Sequence, residues 1–492
     1  MSEQDQETTT ESFEERSSRS REKRKRQLRN RLIAAGLAVI AVVSTVTVVS
    51  LCYGHGGHPS GQEASAGKAS GQKASGQKAS DSKGSDQDSQ SQEENGGLQI
   101  ASQPATLAPA EEDSQTKAEK EQARKEAEEK AAAEKAAAEK AAAEKEAAKN
   151  GTTIHIRMVG DVILHDAVCS DNWTGEGYCF DSLFANVTDS VKEADLSIVN
   201  QESILGGTEL GIGGYPAFNS PYEEGDALVN AGFKVVLQAS NHTLDQGAQG
   251  VYNCLNYWAT NHPDTAVLGI AATPEAASDI YVYEKDGFRV AVLNYTYGTN
   301  SYEELLSDPN TSCLLNLLEE SRVASDIARA REMADFIVVC PHWGNEYENY
   351  PSENQQYWRD FFLSQGVDLV IGAHPHVIQP VEMVTDDSGH QMLVYYSLGN
   401  FVSNQSYANT MVGAMADVTI RKDASGVRFE DYSVEPLVTH KGWNQQSFTT
   451  YFLKDYTEEM AGQNGILQED GSFSLQYCQS LCQEVFGDLY KG

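Results

Sequence analysis

An α/β fold is predicted for this 492-residue chain from Thr152 onward, on three observations. Seven short apolar runs recur there: "TIHIRMV", "ADLSIV", "FKVVLQ", "RVAVLNY", "ADFIVVC", "VDLVIG" and "MLVYYS". Helical stretches such as "EEGDALVNAG" and "LEESRVASDIARAREMA" lie between several of them. The runs are continuously apolar, which marks strands buried on both faces.

The preceding segments are not globular. Residues 1–31 are polar and end in the basic block "REKRKRQLRNR". Leu32–Tyr53 then runs without a charge, and a membrane span needs roughly 20 such residues. The basic flank predicts a single-pass helix with its N-terminus in the cytoplasm and the main domain extracellular. A cleaved signal peptide is the competing reading. Against it stand the long polar lead and the lack of a small-x-small site. Cys52, in "VSLC", sits in a poor lipidation motif. Residues 54–113 are rich in Gly, Ser, Gln and Lys, with the repeat "SGQKASGQKAS". Such a stretch buries too little apolar surface to order itself and is predicted to be a disordered tether. Residues 114–150 are dominated by Ala, Glu and Lys, strong helix formers at spacings that permit i,i+4 pairs. Thr116 and Glu119 match a capping box, and Asn150–Gly151 a C-terminal stop. This predicts a solvated, semi-rigid helical spacer reaching on the order of 50 Å.

Charge and cysteines narrow the function. Lys plus Arg number 37 against 72 Asp plus Glu, a net charge of −35. That argues against general nucleic-acid binding, which needs a basic footprint, and leaves polyanion contact only to local patches. Seven of eight cysteines follow the expected span, so Cys169 with Cys179, and Cys478 with Cys482, are candidate disulfides. No CxxC pair is present, which argues against a zinc ribbon or thioredoxin-like site.

Each polar cluster of interest falls just after an apolar run. "MVGDVILH" carries Asp161 and His165, "SIVNQES" Asn200 and Glu202, and "LQASNHTLDQG" Asn241, His242 and Asp245. "VVCPHWGNEY" carries His342 and Glu346, "VIGAHPHVIQ" His374, His376 and Gln379, and "YYSLGNF" Ser397 and Asn400. Ligands of open α/β sheets bind outside the carboxyl ends of strands, so six such clusters converge. Imidazole, carboxylate and amide oxygen together suit Mn, Fe or Zn rather than Ca or Mg. Two such metals can clamp a phosphoryl group and activate a water.

Plainer readings compete at single positions. His155, His262, His390 and His440, and His55 and His58 in the tether, read as hydrogen-bonded structural residues; His165 fits either role. Asn241 also suits an Asx turn or helix cap, Asp245 a surface charge or a partner for a neighbouring backbone amide, and Asn400 a turn. Trp343, Tyr347 and Phe401 read as core or pocket wall.

The ordered set "GDV", "NQE", "NHTLDQG", "HWGNEY", "GAHPHVIQ" and "SLGNF" resembles the CapA family of poly-γ-glutamate capsule synthesis proteins. These sit within the calcineurin-like, metallophosphatase-like superfamily. The likeness runs from Ile154 to Val402, about half the chain. It implies a four-layer α/β/β/α sandwich with one or two divalent metals at the strand ends. By resemblance, Asp161, Glu202, Asn241, His342, His374 and His376 are metal ligands, with Glu202 in the bridging place. His242 is the general acid or phosphate-contacting histidine, and Asp245 is grouped with it as catalytic. Asn200, Glu346, Gln379 and Asn400 are taken as substrate-binding. The sequence departs from the superfamily's first motif, Asp-x-His: residue 163 is Ile, and His165 stands two positions along.

Three functions fit. The first is a membrane-anchored CapA-type protein that takes part in making, exporting or anchoring an anionic polymer, alongside capsule-synthesis membrane partners. The second is a cell-surface metallophosphoesterase acting on a phosphate ester outside capsule synthesis. The third is a non-catalytic polymer-binding scaffold. No P-loop motif is present, so activation of glutamate would belong to a separate ligase. Residues 441–492 form a C-terminal extension in which "FTTYFLKDYTEEMA" and "QYCQSLCQEVFGDLY" both read as short amphipathic helices.

Overall fold

The computed structural model describes residues 112–490. The expected cytoplasmic tail and membrane span lie outside the described residues, as does the tether apart from its last two positions. Among the described residues no helix is long and apolar enough to cross a membrane. The spacer helix, α1, runs Glu112–Asn150. It carries i,i+4 ion pairs Arg124–Glu128 at 2.9 Å and Lys135–Glu139 at 3.6 Å. It ends before Gly151, whose φ of +82° only glycine adopts freely. Thr116 lies inside the helix, so the expected capping box does not mark its start.

Fourteen strands among the described residues form two sheets. The larger contains β1 (Thr152–Val162), β2 (Leu196–Gln201), β3 (Val235–Leu237) and β4 (Ala266–Leu268), followed in the chain by members of the smaller sheet. The smaller contains β5 (Tyr281–Lys285), β6 (Phe288–Thr296), β7 (Phe336–His342), β8 (Leu369–Ile371), β9 (Val381–Thr385) and β10 (Gln391–Tyr395). β11 (Asn400–Val402), β12 (Val412–Asp423), β13 (Gly426–Gly442) and β14 (Gln446–Phe452) return to the first sheet. Its order is β14-β13-β12-β1-β2-β3-β4, with β11 also beside β1; the second runs β5-β6-β7-β8-β10-β9. All seven apolar runs of the sequence are strands. β1 to β4 are mutually parallel, as are β6 to β8.

Strand faces decide the layering. Ile154, Ile156 and Met158 of β1 share one apolar cluster with Val290 and Val292 of β6 and Val338 and Cys340 of β7. The two sheets therefore pack face to face. The other face of the first sheet meets α2 (Glu223–Ala231) and α3 (Gly247–Asn261) through Leu228 and Val251. The other face of the second meets α4 (Glu320–Met333) and α5 (Glu353–Ser364) through Val323, Ile327 and Phe362. The order is helices, sheet, sheet, helices, because successive side chains of a strand point to opposite faces.

The C-terminal residues continue this core. "FTTYF" is not helical: Phe448–Phe452 belong to β14, paired antiparallel with β13. Phe448, Thr450 and Phe452 face inward while Thr449 and Tyr451 are less buried, a period of two that overrides the helical reading. The second stretch is helical as predicted, α6 (Leu475–Phe486), and buries Cys478, Cys482, Val485 and Phe486 in the inter-sheet cluster. β13 crosses the expected boundary at residue 440, so the extension is built onto the sheet. All seven described cysteines are free thiols. Cys478 and Cys482 stand one helical turn apart, a Cβ separation of about 5–6 Å, too long for a disulfide. Cys169 is buried while Cys179 is exposed, and they do not meet.

Candidate metal centre

The strand ends of both sheets contribute to one buried polar cluster. At the end of β1 the register shifts between Val159 and Asp161, a bulge at Gly160. A Cβ on Gly160 would lie 1.9 Å from the Gly399 carbonyl oxygen, so only glycine fits there. The bulge pairs Asp161 with Asn200 on one side and Asn400 on the other. Asn200 Nδ2 donates to Asp161 Oδ1 at 2.8 Å, and Asn400 Oδ1 lies 3.1 Å from His376 Nδ1. Both asparagines therefore orient ligands, and Asn400 donates its own amide to Gln405 Oε1 and the Thr410 carbonyl.

The His-Pro-His turn after β8 supplies two imidazoles. His374 and His376 adopt φ of +101° and +61°, strained values for non-glycine residues that concentrate at functional sites. The turn is held from both sides. Tyr347 N–H donates to the Pro375 carbonyl at 2.8 Å, and His374 N–H lies 3.3 Å from both Asp161 oxygens. His376 Nδ1 sits 3.2 Å from Asp161 Oδ2. His342 is the last residue of β7, and its Nε2 lies 2.7 Å from Asn241 Oδ1.

Glu202 lies between these groups. Its Oε1 is 3.8 Å from His342 Nε2 and 3.7 Å from His376 Nε2. Two triads of ligand atoms gather within 4.8 Å: Glu202 with His342 and His374, and Asp161 with Glu202 and His376. Glu202 is common to both. It is fully buried, and neither carboxylate oxygen has a hydrogen bond. A buried carboxylate in that state is costly unless a cation meets it. Burial pushes the Glu202 carboxyl well above its ordinary range. Burial likewise lowers His342 well below the ordinary imidazole value, which favours the neutral, metal-ligating form. At His376 burial opposes the charge, but Glu202 and Asp161 outweigh it and raise the imidazole to about 9. The donor set is nitrogen and carboxylate oxygen, with Asn241 Oδ1 beside His342, and it fits divalent Mn, Fe or Zn.

His242 and Asp245 form a second, adjoining pair. His242 Nδ1 lies 2.6 Å from Asp245 Oδ2, which also accepts from the Phe218 N–H at 2.8 Å. A carboxylate only accepts, so Nδ1 carries the proton and Nε2 is the nitrogen turned away from Asp245. The Phe218 ring packs edge-on to His242 at 4.7 Å. Asp245 is buried and so is no surface charge, but it does partner a backbone amide, that of Phe218, while Asn241 Oδ1 is turned to His342.

Other expected positions are placed differently. Gln379 does not face the cluster. Its amide donates to the Glu348 and Tyr350 carbonyls at 2.8 and 3.1 Å and accepts from Gln355 at 2.6 Å, so it fixes the 348–350 loop instead of binding substrate. Glu346, by contrast, is exposed outside both triads, a place compatible with the substrate-binding role expected of it. His165 does not supply the ligand missing at Ile163: Asn404 N–H donates to its Nδ1 at 3.2 Å, and burial lowers it to about 4. His155, His262, His390 and His440 are each hydrogen-bonded outside the cluster, to Asp417, Asp226, the Val367 carbonyl and Tyr456. The structure adds one segment that sequence reasoning missed. After β6, Asn300 N–H donates to the Asn241 carbonyl at 2.8 Å, Asn300 Nδ2 lies 3.4 Å from His242 Nε2, and Ser301 Oγ donates to Asp245 Oδ1 at 2.9 Å. "YTYGTNSY" carries no His, Asp or Glu, but it follows an apolar run at the same sheet edge, the one signal that pointed to it.

The chain is 31% identical over 214 residues to "PGA biosynthesis protein CapA" of Bacillus subtilis (strain 168), covering 44% of this chain and 53% of that protein. It is 30% identical over 219 residues to "Capsule biosynthesis protein CapA" of Bacillus anthracis, covering 44% of this chain and 50% of that one. The matched part thus spans about half the length of these curated relatives. Among solved structures it is similar to the calcineurin-like phosphoesterase YfkN from Bacillus subtilis, at 12% identity over 68% of this chain and 99% of that one, with a TM-score of 0.37. A putative 5′-nucleotidase from Staphylococcus aureus matches at 17% identity over 57% and 54%, with a TM-score of 0.38. Both scores are too low to carry an argument. The model of "Bacterial capsule synthesis protein PGA_cap" matches residues 155–405, the stretch that holds every residue of the two triads. The chain belongs to the PGA_cap family of bacterial capsule synthesis proteins.

Proposed function

We propose that this is a membrane-anchored, outward-facing capsule-synthesis protein whose metal centre hydrolyses a phosphoester during the making, export or anchoring of poly-γ-glutamate. The observation that carries the metal reading is Glu202, buried without a hydrogen bond and shared by two ligand triads. Asp161, Glu202 and His376 would hold one ion, and Glu202, His342 and His374 the other, with Asn241 beside the second. Bound Mn, Fe or Zn would acidify a water and neutralise phosphoryl charge. The chain's own residues do the rest. Asp245 fixes the His242 tautomer, so a protonated His242 presents its Nε2 proton to the leaving oxygen. Asn200 and Asn400 hold Asp161 and His376 in place. The anchor rests on the uncharged stretch 32–53 and its basic flank. The capsule role rests on family membership.

The test uses the full-length chain purified in detergent and its His374→Ala/His376→Ala variant. Elemental analysis and hydrolysis of a generic phosphodiester are measured on both. Near-stoichiometric metal, lost together with hydrolysis in the variant, supports the proposal. A folded wild type without metal, inactive even with added Mn, Fe or Zn, overturns it.

A further inference from the structure

Four tyrosines from four separate segments stand at the mouth of the metal centre, and the hydrolytic reading gives them no task. Tyr215 lies between β2 and α2, Tyr297 directly follows β6, Tyr347 follows β7, and Tyr407 follows β11. They are 72%, 37%, 39% and 53% exposed. Two of them pack on histidines of the centre, and the other two pack on rings beside it. The Tyr297 ring is 4.7 Å from the His374 ring. The Tyr347 ring is 6.0 Å from His376 and 5.2 Å from Tyr407. Tyr215 packs at 6.5 Å on Phe218, the ring that supports His242.

Single exposed rings are ordinary, but a group of them around one mouth marks a binding surface. Tyr347 also holds a left-handed φ of +68°, strained for a bulky residue, while its N–H secures the Pro375 carbonyl. Burial, and then the Glu346 and Glu202 carboxylates, push its hydroxyl up, so it remains a neutral donor.

We propose that this rim is the subsite for the non-reacting part of the substrate, and that this part is a sugar ring. The substrate class is a sugar phosphoester: its phosphate enters the metal centre while the ring lies on Tyr297 and Tyr347. The assignment rests on reading the centre as a phosphoesterase. Tyrosine faces offer a flat apolar platform with a polar edge. Glu346 and Asn300, both exposed here, supply an acceptor and a donor for ring hydroxyls. An extended polycarboxylate suits this mouth poorly. Glu346 is itself anionic, and Lys441, the cation acting on His165, is buried against Asn404, Gln405 and Glu469. In the reaction a water oxygen bonds to phosphorus, the bond from phosphorus to the sugar oxygen breaks, and that oxygen leaves with a proton.

The experiment titrates the Mn-loaded full-length chain calorimetrically with glucose 1-phosphate, glycerol 3-phosphate and adenosine 5′-monophosphate. Glucose 1-phosphate is expected to bind about tenfold tighter than the ringless ester, the worth of roughly one good ring contact. In a Tyr297→Ala/Tyr347→Ala variant, checked for folding by circular dichroism, that ratio falls toward one. Tyr407→Ala alone lowers glucose 1-phosphate affinity and gives a milder second reading. Equal binding of both esters by the wild type, or a ratio unchanged in the variants, overturns the subsite. Tighter binding of the adenosine ester than of glucose 1-phosphate overturns the sugar assignment. Phosphate release on the same samples separates the two ideas. Ring preference without turnover sinks the phosphoesterase reading alone, and turnover without ring preference sinks the rim alone.

Discussion

Glu202→Gln and His374→Ala should differ in a way that only a shared carboxylate predicts. Glu202 belongs to both triads and His374 to one. An ion present at about 100 times its dissociation constant stabilises the folded state by about 2.7 kcal/mol. Two independent ions give about 5 kcal/mol. A domain of roughly 340 residues, unfolding with about 2.1 cal/mol/K per residue, shifts its melting point by about 1.4 °C per kcal/mol. Wild type should therefore gain about 7–8 °C on metal loading. His374→Ala should keep about half of that gain and about half of the metal. Glu202→Gln should lose nearly all of both. Without metal the order reverses. Burial raises the Glu202 carboxyl, so folding must either neutralise it or bury a charge once the pH exceeds the ordinary carboxyl value. In EDTA at neutral pH, Glu202→Gln should melt above wild type. Elemental analysis and melting curves with and without EDTA read all of these. A Glu202→Gln protein that still holds two ions, or one that melts lower than wild type in EDTA, refutes the reasoning.

Further predictions concern the frame. Glu224 is fully buried in α2 and burial pushes its carboxyl up to about 8. Its folded value exceeds its unfolded one, so wild type loses stability as pH rises from about 4.5 to about 8, by about 3–5 kcal/mol. Glu224→Gln should flatten that slope and be the more stable protein at pH 8; parallel urea midpoints against pH for the two proteins would contradict it. Gly160→Ala should cost about 2–3 kcal/mol or more, because its Cβ meets the Gly399 carbonyl at 1.9 Å and β1 must leave β11. Metal content should fall with it, and a variant matching wild type in both would count against the bulge as the device that aims Asp161. Lys441, whose side chain is fully buried, holds Asn404, Gln405 and Glu469. Lys441→Met should destabilise by about 2–3 kcal/mol in urea unfolding, since it strands those acceptors; an unchanged midpoint would show the contacts to be dispensable.

Much of the centre was legible from residue type and position. Asp161, Glu202, Asn241, His342, His374 and His376 each follow an apolar run, and parallel strands end at one edge, so the convergence was implied before any coordinate. Gln379 misled because its neighbours at 374 and 376 belong to the two candidate ligand triads. Proximity in sequence says nothing of which way a side chain turns after two left-handed residues. "FTTYF" misled because five residues of mixed polarity fit a helix face as well as a strand, and only pairing with β13 decides. The loop at 297–301 was missed because Asn, Ser and Tyr there carry no motif, and their importance comes from what stands opposite.

By itself the sequence determined the class of fold, the seven main strands, the spacer helix and the ligand types, because these follow from hydrophobic period, local propensity and donor chemistry. The resemblance put Glu202 in a bridging place, but tertiary structure alone decided which histidines it stands between, that Asn200 and Asn400 contact Asp161 and His376, and that four tyrosines surround one mouth. Those facts depend on distances between residues as far apart as 161 and 376, which the packing of two sheets sets and no local pattern encodes.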